Sequence, residues 1–241
     1  MKHQYFADRR DFLKYELLLD LAGRDPSGGR LLSLLMLTPD DGTSEGSIKT
    51  YGQGLRRRDL YEFLRACLAA GTRDVSLLRK FMRIAGVDYR PHRDDRFFDD
   101  TGRAAYFAGC ALAARGHSMI FFDPDIGLET DAPLYMRRKG MEKYLMYADV
   151  AVVARAAPPD SVLVVYQHLQ KNKRRVGADI DAKCQRLCRE IGSACAAYVT
   201  DRDVAFLLTS CDAKSSRWAI DAVVAHGGKH NLEFGEVAAH E

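Results

Sequence analysis

The chain has 241 residues, 47% hydrophobic and 29% charged, so it is long enough to bury the core of a globular protein. Its formal net charge of +3 does not by itself establish a polyanionic partner. Because no apolar run approaches the ~20 residues that span a bilayer and the N-terminal residues lack a signal peptide's apolar centre, we expect a cytoplasmic protein without membrane contact.

Apolar periodicity predicts helices and strands that alternate along the chain. An amphipathic helix over 12–22 precedes an apolar strand over 31–37. A charged surface loop is predicted over 91–100. Further helices are predicted over 59–70, 75–85, 102–115, 141–156, 180–195 and 215–226, and further strands over 87–90, 119–122, 162–166, 197–199 and 204–208.

This alternation indicates the fold class. Strands that alternate with helices of about 10–15 residues favour a mainly parallel sheet covered on both faces. Residues 200–202 separate the last two predicted strands and are too few for a crossover helix, so these strands should pair antiparallel. We therefore predict a single three-layer α/β/α domain over 1–241, with a mainly parallel sheet and a C-terminal antiparallel hairpin.

The most informative segment begins with the short apolar strand over 119–122. Pro124 and Gly127 forbid continuation of this strand and force a loop at its carboxyl end. In open α/β sheets, ligands bind at the carboxyl ends of the strands. The alternative is a capped turn, in which an aspartate only satisfies backbone donors. The loop carries three carboxylates, those of Asp123, Asp125 and Glu129.

Two other predicted strands end at the same edge of the sheet. The polar residues there are Asp40 and Asp41 after the first strand, and Tyr166, Gln167 and His168 at the end of the later one. Carboxylates, an imidazole and an amide that converge on one cleft suit hydrolysis. We therefore expect a candidate active site at this edge.

Roles follow from the residue types. A carboxylate of this edge would orient water, and His168 or Gln167 would assist the leaving group. An ordinary, partly exposed histidine is the alternative for His168. We assign catalysis to Asp123, Asp125 and His168, and substrate binding to the other polar and aromatic residues of this edge, namely Asp40, Asp41, Phe122, Glu129, Tyr166 and Gln167.

Basic residues cluster in three places, over 56–58, 137–139 and 171–175, in predicted loops or helix starts near strand ends. Such clusters bind phosphates through charge and through helix amides, although a solvated surface explains any single cluster equally well. Together they favour a nucleic-acid partner, and we expect DNA. Phosphate binding is assigned to the cluster just beyond His168, through Lys171, Lys173, Arg174 and Arg175.

Several nucleotide and hydrolase motifs are absent from the sequence. It has no Walker loop, no Gly-x-Gly-x-x-Gly after a strand, no His-Glu-x-x-His and no Gly-x-Ser-x-Gly. ATP hydrolysis, dinucleotide redox chemistry and serine hydrolysis are therefore disfavoured. Carboxylates also bind magnesium, so a metal-dependent nuclease that uses Asp40, Asp41, Asp123 and Asp125 remains an alternative.

The loop Phe122-Asp123-Pro124-Asp125-Ile126-Gly127 resembles the Asp-Pro water-activating loop of the uracil-DNA glycosylase superfamily. Tyr166-Gln167-His168 stands where the second, histidine-bearing loop of that superfamily would lie. Asp125 replaces the usual aromatic residue after the proline, which suits a bulkier modified base. The resemblance implies a DNA glycosylase that flips out and hydrolytically excises such a base, without metal or cofactor. A glucosylated cytosine of phage DNA, in antiviral defence, is the expected target.

A second resemblance concerns the opening segment Phe6-Ala7-Asp8-Arg9-Arg10-Asp11-Phe12-Leu13-Lys14-Tyr15, the Asp-Pro motif and the closing hairpin. These resemble the ribosomal-RNA adenine methyltransferases, which have a Rossmann-like core. The resemblance implies binding of S-adenosylmethionine after the first strand. Here that place reads Leu37-Thr38-Pro39-Asp40-Asp41-Gly42, without the family's glycine-rich loop. A degenerate methyltransferase-like nucleic-acid enzyme is therefore kept as an alternative, and the similarity is interpreted as shared architecture.

Overall fold

Nine strands lie in the described part of a computed structural model, which comprises residues 1–42, 57–169 and 176–239. Seven of them form one sheet, and the short strands β4 and β5 pair separately. In chain order the strands are β1 (Arg30–Leu35), β2 (Asp88–His92), β3 (Met119–Asp123), β4 (Gly127–Leu128), β5 (Tyr144–Leu145), β6 (Val162–His168), β7 (Cys195–Thr200), β8 (Val204–Ser210) and β9 (Glu233–Ala238).

The order of strands in the large sheet is β2-β1-β3-β6-β8-β7-β9. Strands β2, β1, β3 and β6 are parallel to their neighbours. Strand β8 lies antiparallel between β6 and β7, and β9 pairs antiparallel with β7. The predicted parallel sheet with an antiparallel hairpin of β7 and β8 is confirmed.

Helices cover both faces of the sheet. The helices are α1 (Arg9–Ala22), α2 (Arg58–Ala69), α3 (Leu78–Ile84), α4 (Arg103–Ala114), α5 (Pro133–Lys139), α6 (Tyr147–Ala156), α7 (Val176–Ile191) and α8 (Ala213–His230). Helices α1, α2, α3 and α8 contribute to one buried cluster, and α4, α6 and α7 contribute to the other, which confirms the three layers. None of the helices in these described segments is long and apolar enough to cross a bilayer.

Two predicted boundaries and one missed strand have identifiable reasons. The helix predicted over 141–156 begins only at Tyr147, because Tyr144–Leu145 pairs with the loop strand Gly127–Leu128. Strand β2 extends into the predicted loop as far as His92, and Pro91 is tolerated there because β2 is an edge strand. Strand β9 was not predicted, since it is a mostly exposed edge strand with two glutamates and a glycine.

Candidate active site

A cavity of about 870 Å³ opens at the carboxyl ends of β3 and β6. Helices α1 and α7 form its walls. Its volume lies in the range of ligand sites in proteins, about 300–1,000 Å³. The structure brings seven of the predicted residues to this cavity, namely Asp41, Asp123, Asp125, Glu129, Tyr166, Gln167 and His168.

A buried lysine of α1 lies at the base of the cavity. The Nζ atom of Lys14 is 2.8 Å from an Asp11 oxygen and 2.8 Å from Oδ2 of Asp123. Burial alone would lower the pKa of Lys14, but the carboxylates of Asp11 and Asp123 outweigh burial and raise it. Asp123, which is 2% exposed, is therefore held in an ion pair and is not free to orient water.

Asp125 has a different environment from Asp123. Its Oδ2 lies 3.2 Å from Nζ of Lys2, and its Oδ1 lies 3.8 Å from the Met1 amino group. Oδ1 is buried and has no hydrogen-bond partner within the described segments. A buried acceptor without a donor is costly, so this oxygen is suited to a water molecule or ligand in the cavity.

The first turn of α1 supplies a carboxyl group that the sequence analysis did not select. Asp8 is the N-cap of α1, and its side chain accepts a hydrogen bond from the Asp11 amide. Burial, followed by the nearby Asp11 carboxylate, raises the pKa of Asp8 to about 7. Asp8 lines the cavity and is suited to donate a proton near neutral pH.

Asp40 and Asp41 bind the N-terminal segment. Asp41 accepts hydrogen bonds from Lys2, at 2.6 Å, and from Nε2 of Gln4, at 2.9 Å. Asp40 accepts a hydrogen bond from the Gln4 amide and does not line the cavity. The assignment of Asp40 to substrate binding is therefore corrected, because its carboxylate positions residues 1–5 over the end of β1.

Gln167 positions the loop after β3. Its Oε1 accepts from the Leu128 amide, and its Nε2 donates to the His168 carbonyl. With both ends of the amide engaged, Gln167 is not available to assist a leaving group, which corrects that assignment. A Cβ atom on Gly127, whose φ is +135°, would lie 2.5 Å from the Gln167 amide, so this close contact requires glycine.

Replacement of Gly127 by alanine is expected to reduce the free energy of unfolding by about 2 kcal/mol, since the new Cβ adds backbone strain and displaces Gln167. Chemical denaturation of the purified variant measures this change. Gly116→Ala is the matched control, because a Cβ there meets nothing within 4 Å. Equal stability of the two variants would contradict the role given to the Gly127 contact.

Glu129 and Phe122 also have structural roles. Oε1 of Glu129 accepts from the Tyr147 amide at the start of α6 and lies 3.4 Å from Arg186. Glu129 is thus a helix cap at the cavity wall. Phe122 is 1% exposed in the core beneath α4 and α6 and does not line the cavity. Its assignment to substrate binding is corrected, because alternate residues of β3 face opposite sides of the sheet.

Tyr166 and His168 remain candidates. The ring of Tyr166 lies 5.5 Å from Nζ of Lys14 and 5.8 Å from the ring of Phe206, so it forms a buried wall of the cavity. His168 is half-buried at the end of β6 and lines the same cavity. Its amide donates to the Ile126 carbonyl, which joins β6 to the Asp-Pro loop.

Helix α7 adds two cationic residues that the sequence analysis missed. Lys183 donates to the carbonyls of Leu128, at 3.4 Å, and Glu129, at 3.2 Å, and burial lowers its pKa to about 8. The Arg186 guanidinium lies 4.2 Å from the ring centre of Tyr147. Lys183 and Arg186 are three residues apart and therefore lie on one face of α7. This spacing was the only signal in the sequence that could have identified them.

The three basic clusters have different positions. Arg57 and Arg58 pair with Asp59 and Glu62 on α2 and do not line the cavity. In the cluster 137–139 all three side chains are exposed, and Lys139 reaches the cavity rim. The predicted phosphate-binding residues Lys171, Lys173, Arg174 and Arg175, like Arg56, lie outside the described residues.

Two comparisons with known proteins give no relative for this chain. A scan against protein-family models finds no match. A search of the curated proteins finds no significant similarity. The functional argument therefore depends on the geometry and chemistry of the cavity.

Proposed function

We propose that the protein is a DNA glycosylase, which binds an extruded modified base in the cavity and hydrolyses the bond between that base and deoxyribose. The reaction needs no metal or cofactor. The observation that carries this proposal is Asp125, which lines the cavity and whose buried Oδ1 has no hydrogen-bond partner among the described residues.

The shape and chemistry of the cavity support a base as ligand. Its volume is larger than a bare pyrimidine fills, which favours a base that carries a bulky substituent such as a hexose. Aromatic rings suit a flat ligand, and those at the wall belong to Tyr5, Tyr135, Tyr144, Tyr147 and Tyr166. The Tyr144 hydroxyl is buried without a hydrogen-bond partner within the described part of the chain, so it is a second polar atom suited to contact the base.

The proposed step is a single hydrolysis. Oδ1 of Asp125 orients a water molecule and takes a proton from it as the water oxygen attacks the anomeric carbon C1′. The bond between C1′ and the base nitrogen breaks, and its electron pair leaves with the base. Asp8 supplies the proton that neutralises the departing base. The buried Asp123 carboxylate stabilises the positive charge that develops on the sugar, although Lys14 reduces its effect.

Contacts at the cavity disfavour the two other activities. Lys14 and Lys2 pair with Asp123 and Asp125, where a nuclease would need both carboxylates for a divalent cation. The end of β1, where a methyltransferase would bind its cofactor, is covered by the N-terminal segment, since Thr38 donates to the Met1 carbonyl at 2.8 Å. The glycosylase accounts for both observations without displacing a buried contact.

Duplex oligonucleotides that carry uracil, 5-hydroxymethylcytosine or glucosylated 5-hydroxymethylcytosine test the proposal. A glycosylase converts one of them to an abasic strand that breaks only after alkali, in the presence of EDTA, and mass spectrometry detects the free base. Direct strand breaks that EDTA abolishes would establish a nuclease instead. Heat stabilisation by S-adenosylmethionine would favour the methyltransferase. Absence of base release from phage DNA containing modified cytosines would overturn the proposal.

The role of Asp8 predicts how activity depends on pH. Base release should fall as the pH rises through about 7, because Asp8 then loses the proton that it donates. The asparagine of Asp8→Asn keeps a side-chain oxygen that accepts the hydrogen bond from the Asp11 amide, but it has no proton to donate as an acid. We expect this variant to be at least about tenfold slower at pH 6, without a fall above pH 7. A wild-type pH profile in the variant would exclude Asp8 as the acid.

The pH dependence of stability provides an independent test of the raised pKa of Asp8. Because the folded pKa of Asp8 is raised from 3.8 to about 7, the folded state holds a proton that the unfolded state releases. The stabilisation present below pH ~4 is therefore lost as the pH rises through ~7. Urea denaturation of Asp8→Asn should show a smaller loss of stability over this range than the wild type.

A further inference from the structure

Helices α1 and α8 bring two carboxylates and two imidazoles together, away from the cavity. Glu16 and Asp20 are four residues apart on α1, and His226 and His230 are four residues apart on α8, so each pair shares one helix face. Ligand atoms of Asp20, His226 and His230 all lie within 4.8 Å of one another. None of these four residues lines the cavity.

We propose that this cluster binds a divalent transition-metal ion of the zinc class, through Asp20, His226 and His230, with Glu16 as the fourth ligand. Nδ1 of His226 lies 3.0 Å from Oδ2 of Asp20, and Nε2 of His230 lies 3.5 Å from Oε2 of Glu16. Metal–ligand distances of about 2.0–2.2 Å place the neighbouring ligands of a tetrahedral zinc ion roughly 3.3–3.5 Å apart. These two contacts are therefore already close to the spacing of bound ligands. The ligand atoms of Asp20, His226 and His230, which lie within 4.8 Å of one another, would have to move closer together, and Glu16, which is not part of that group of three, would have to turn toward them.

The ligand types select the metal. Two imidazoles and two carboxylates suit zinc, cobalt or nickel, whereas magnesium prefers oxygen ligands and retains its waters. The burial of two ligand side chains supports a preformed metal site, since His226 is 0% exposed and Glu16 is 2% exposed. Asp20 and His230, at 15% and 14%, leave a route of entry.

The ammonium group of Lys229 competes with the metal. Nζ of Lys229 lies 3.1 Å from the same Asp20 oxygen that faces His226. The Lys229 side chain is 37% exposed, so it can turn into solvent and release this oxygen when a metal binds. The bound ion would join α1, which carries Asp8, Asp11 and Lys14, to α8.

Metal titration of the untagged, EDTA-stripped full chain tests the site. We expect Zn²⁺ to raise Tm by about 5–10 °C at a hundredfold excess over Kd, and Mg²⁺ to leave it unchanged. Co²⁺ should give the intense visible absorption of a four-coordinate ion. Absence of Zn²⁺ binding below about 0.1 mM, or the weak absorption of six-coordinate Co²⁺, would overturn the proposal.

Four variants, one of them a control, test which residues bind the ion. Asp20→Asn and His230→Gln, both at partly exposed positions, should weaken Zn²⁺ binding at least about tenfold, whereas His3→Gln is the matched histidine control. Lys229→Ala should strengthen binding severalfold, because it removes the competing ammonium. Wild-type affinity in both ligand variants, or no gain in Lys229→Ala, would show that the ion binds elsewhere. The Lys229→Ala result keeps the proposal testable even if a ligand variant does not fold.

Discussion

Replacement of Lys14 by methionine is expected to lower the free energy of unfolding by about 3–5 kcal/mol, since it leaves two buried carboxylates without their cation. Methionine preserves most of the side-chain volume, so packing is largely retained. The pKa of Asp11 is already raised by burial and should rise further without the Lys14 ammonium, so Asp11 should take up a proton in the folded state. The difference in the free energy of unfolding between Lys14→Met and the wild type should therefore become smaller as the pH falls. Urea denaturation at pH 8 and pH 5.5 measures this difference.

Two further variants separate charge from packing. Lys80→Met, at an exposed position of α3, should change stability by less than about 0.5 kcal/mol. Asp11→Asn combined with Lys14→Met should recover part of the loss, because it removes one of the two uncompensated charges. A stability of Lys14→Met equal to that of the wild type at pH 8 would show that Lys14 does not neutralise these carboxylates.

Local patterns were sufficient to predict most of the sheet and the edge at which the cavity lies. The run over 119–122 is apolar and is followed by Pro124 and Gly127, so both its strand and its exit loop are encoded locally. The β-branched run that begins β6 likewise indicates a strand buried on both faces. Parallel pairing then places Asp123, Asp125 and His168 at the same edge, which is where the structure has them.

The electrostatics of the site could not be predicted in the same way. Lys14 lies in an amphipathic helix whose periodicity suggests solvent exposure for a lysine, yet its partner Asp123 is 109 residues away. Such pairing depends on tertiary packing, and local periodicity carries no information about it. The pKa of Asp8 could not be predicted for the same reason, because it is raised by burial in the folded protein. The role of Gln167 could not be predicted either, because its side-chain oxygen accepts a hydrogen bond from the Leu128 amide, which lies beside it only when the loop is folded.

Replacement of Asp125 by asparagine is expected to reduce base release by about 10²–10³-fold, because an amide cannot accept the proton of the attacking water. The fold should persist, since asparagine has the same shape and Lys2 keeps its 2.6 Å contact with Asp41. DNA affinity should also persist, because the phosphate contacts of the proposed complex do not involve Asp125. Single-turnover kinetics and a filter-binding titration on the same oligonucleotide measure the two quantities separately.

Asp160→Asn is the matched control, as this exposed carboxylate precedes β6 at the opposite edge of the sheet. It should release base at the wild-type rate. Asp123→Asn provides the discriminating comparison, because Asp123 is engaged by Lys14, whereas Oδ1 of Asp125 has no hydrogen-bond partner among the described residues. If Asp125→Asn remained active and Asp123→Asn lost all base release, the water-orienting role would belong to Asp123, and Lys14 would have to move away from it during the reaction.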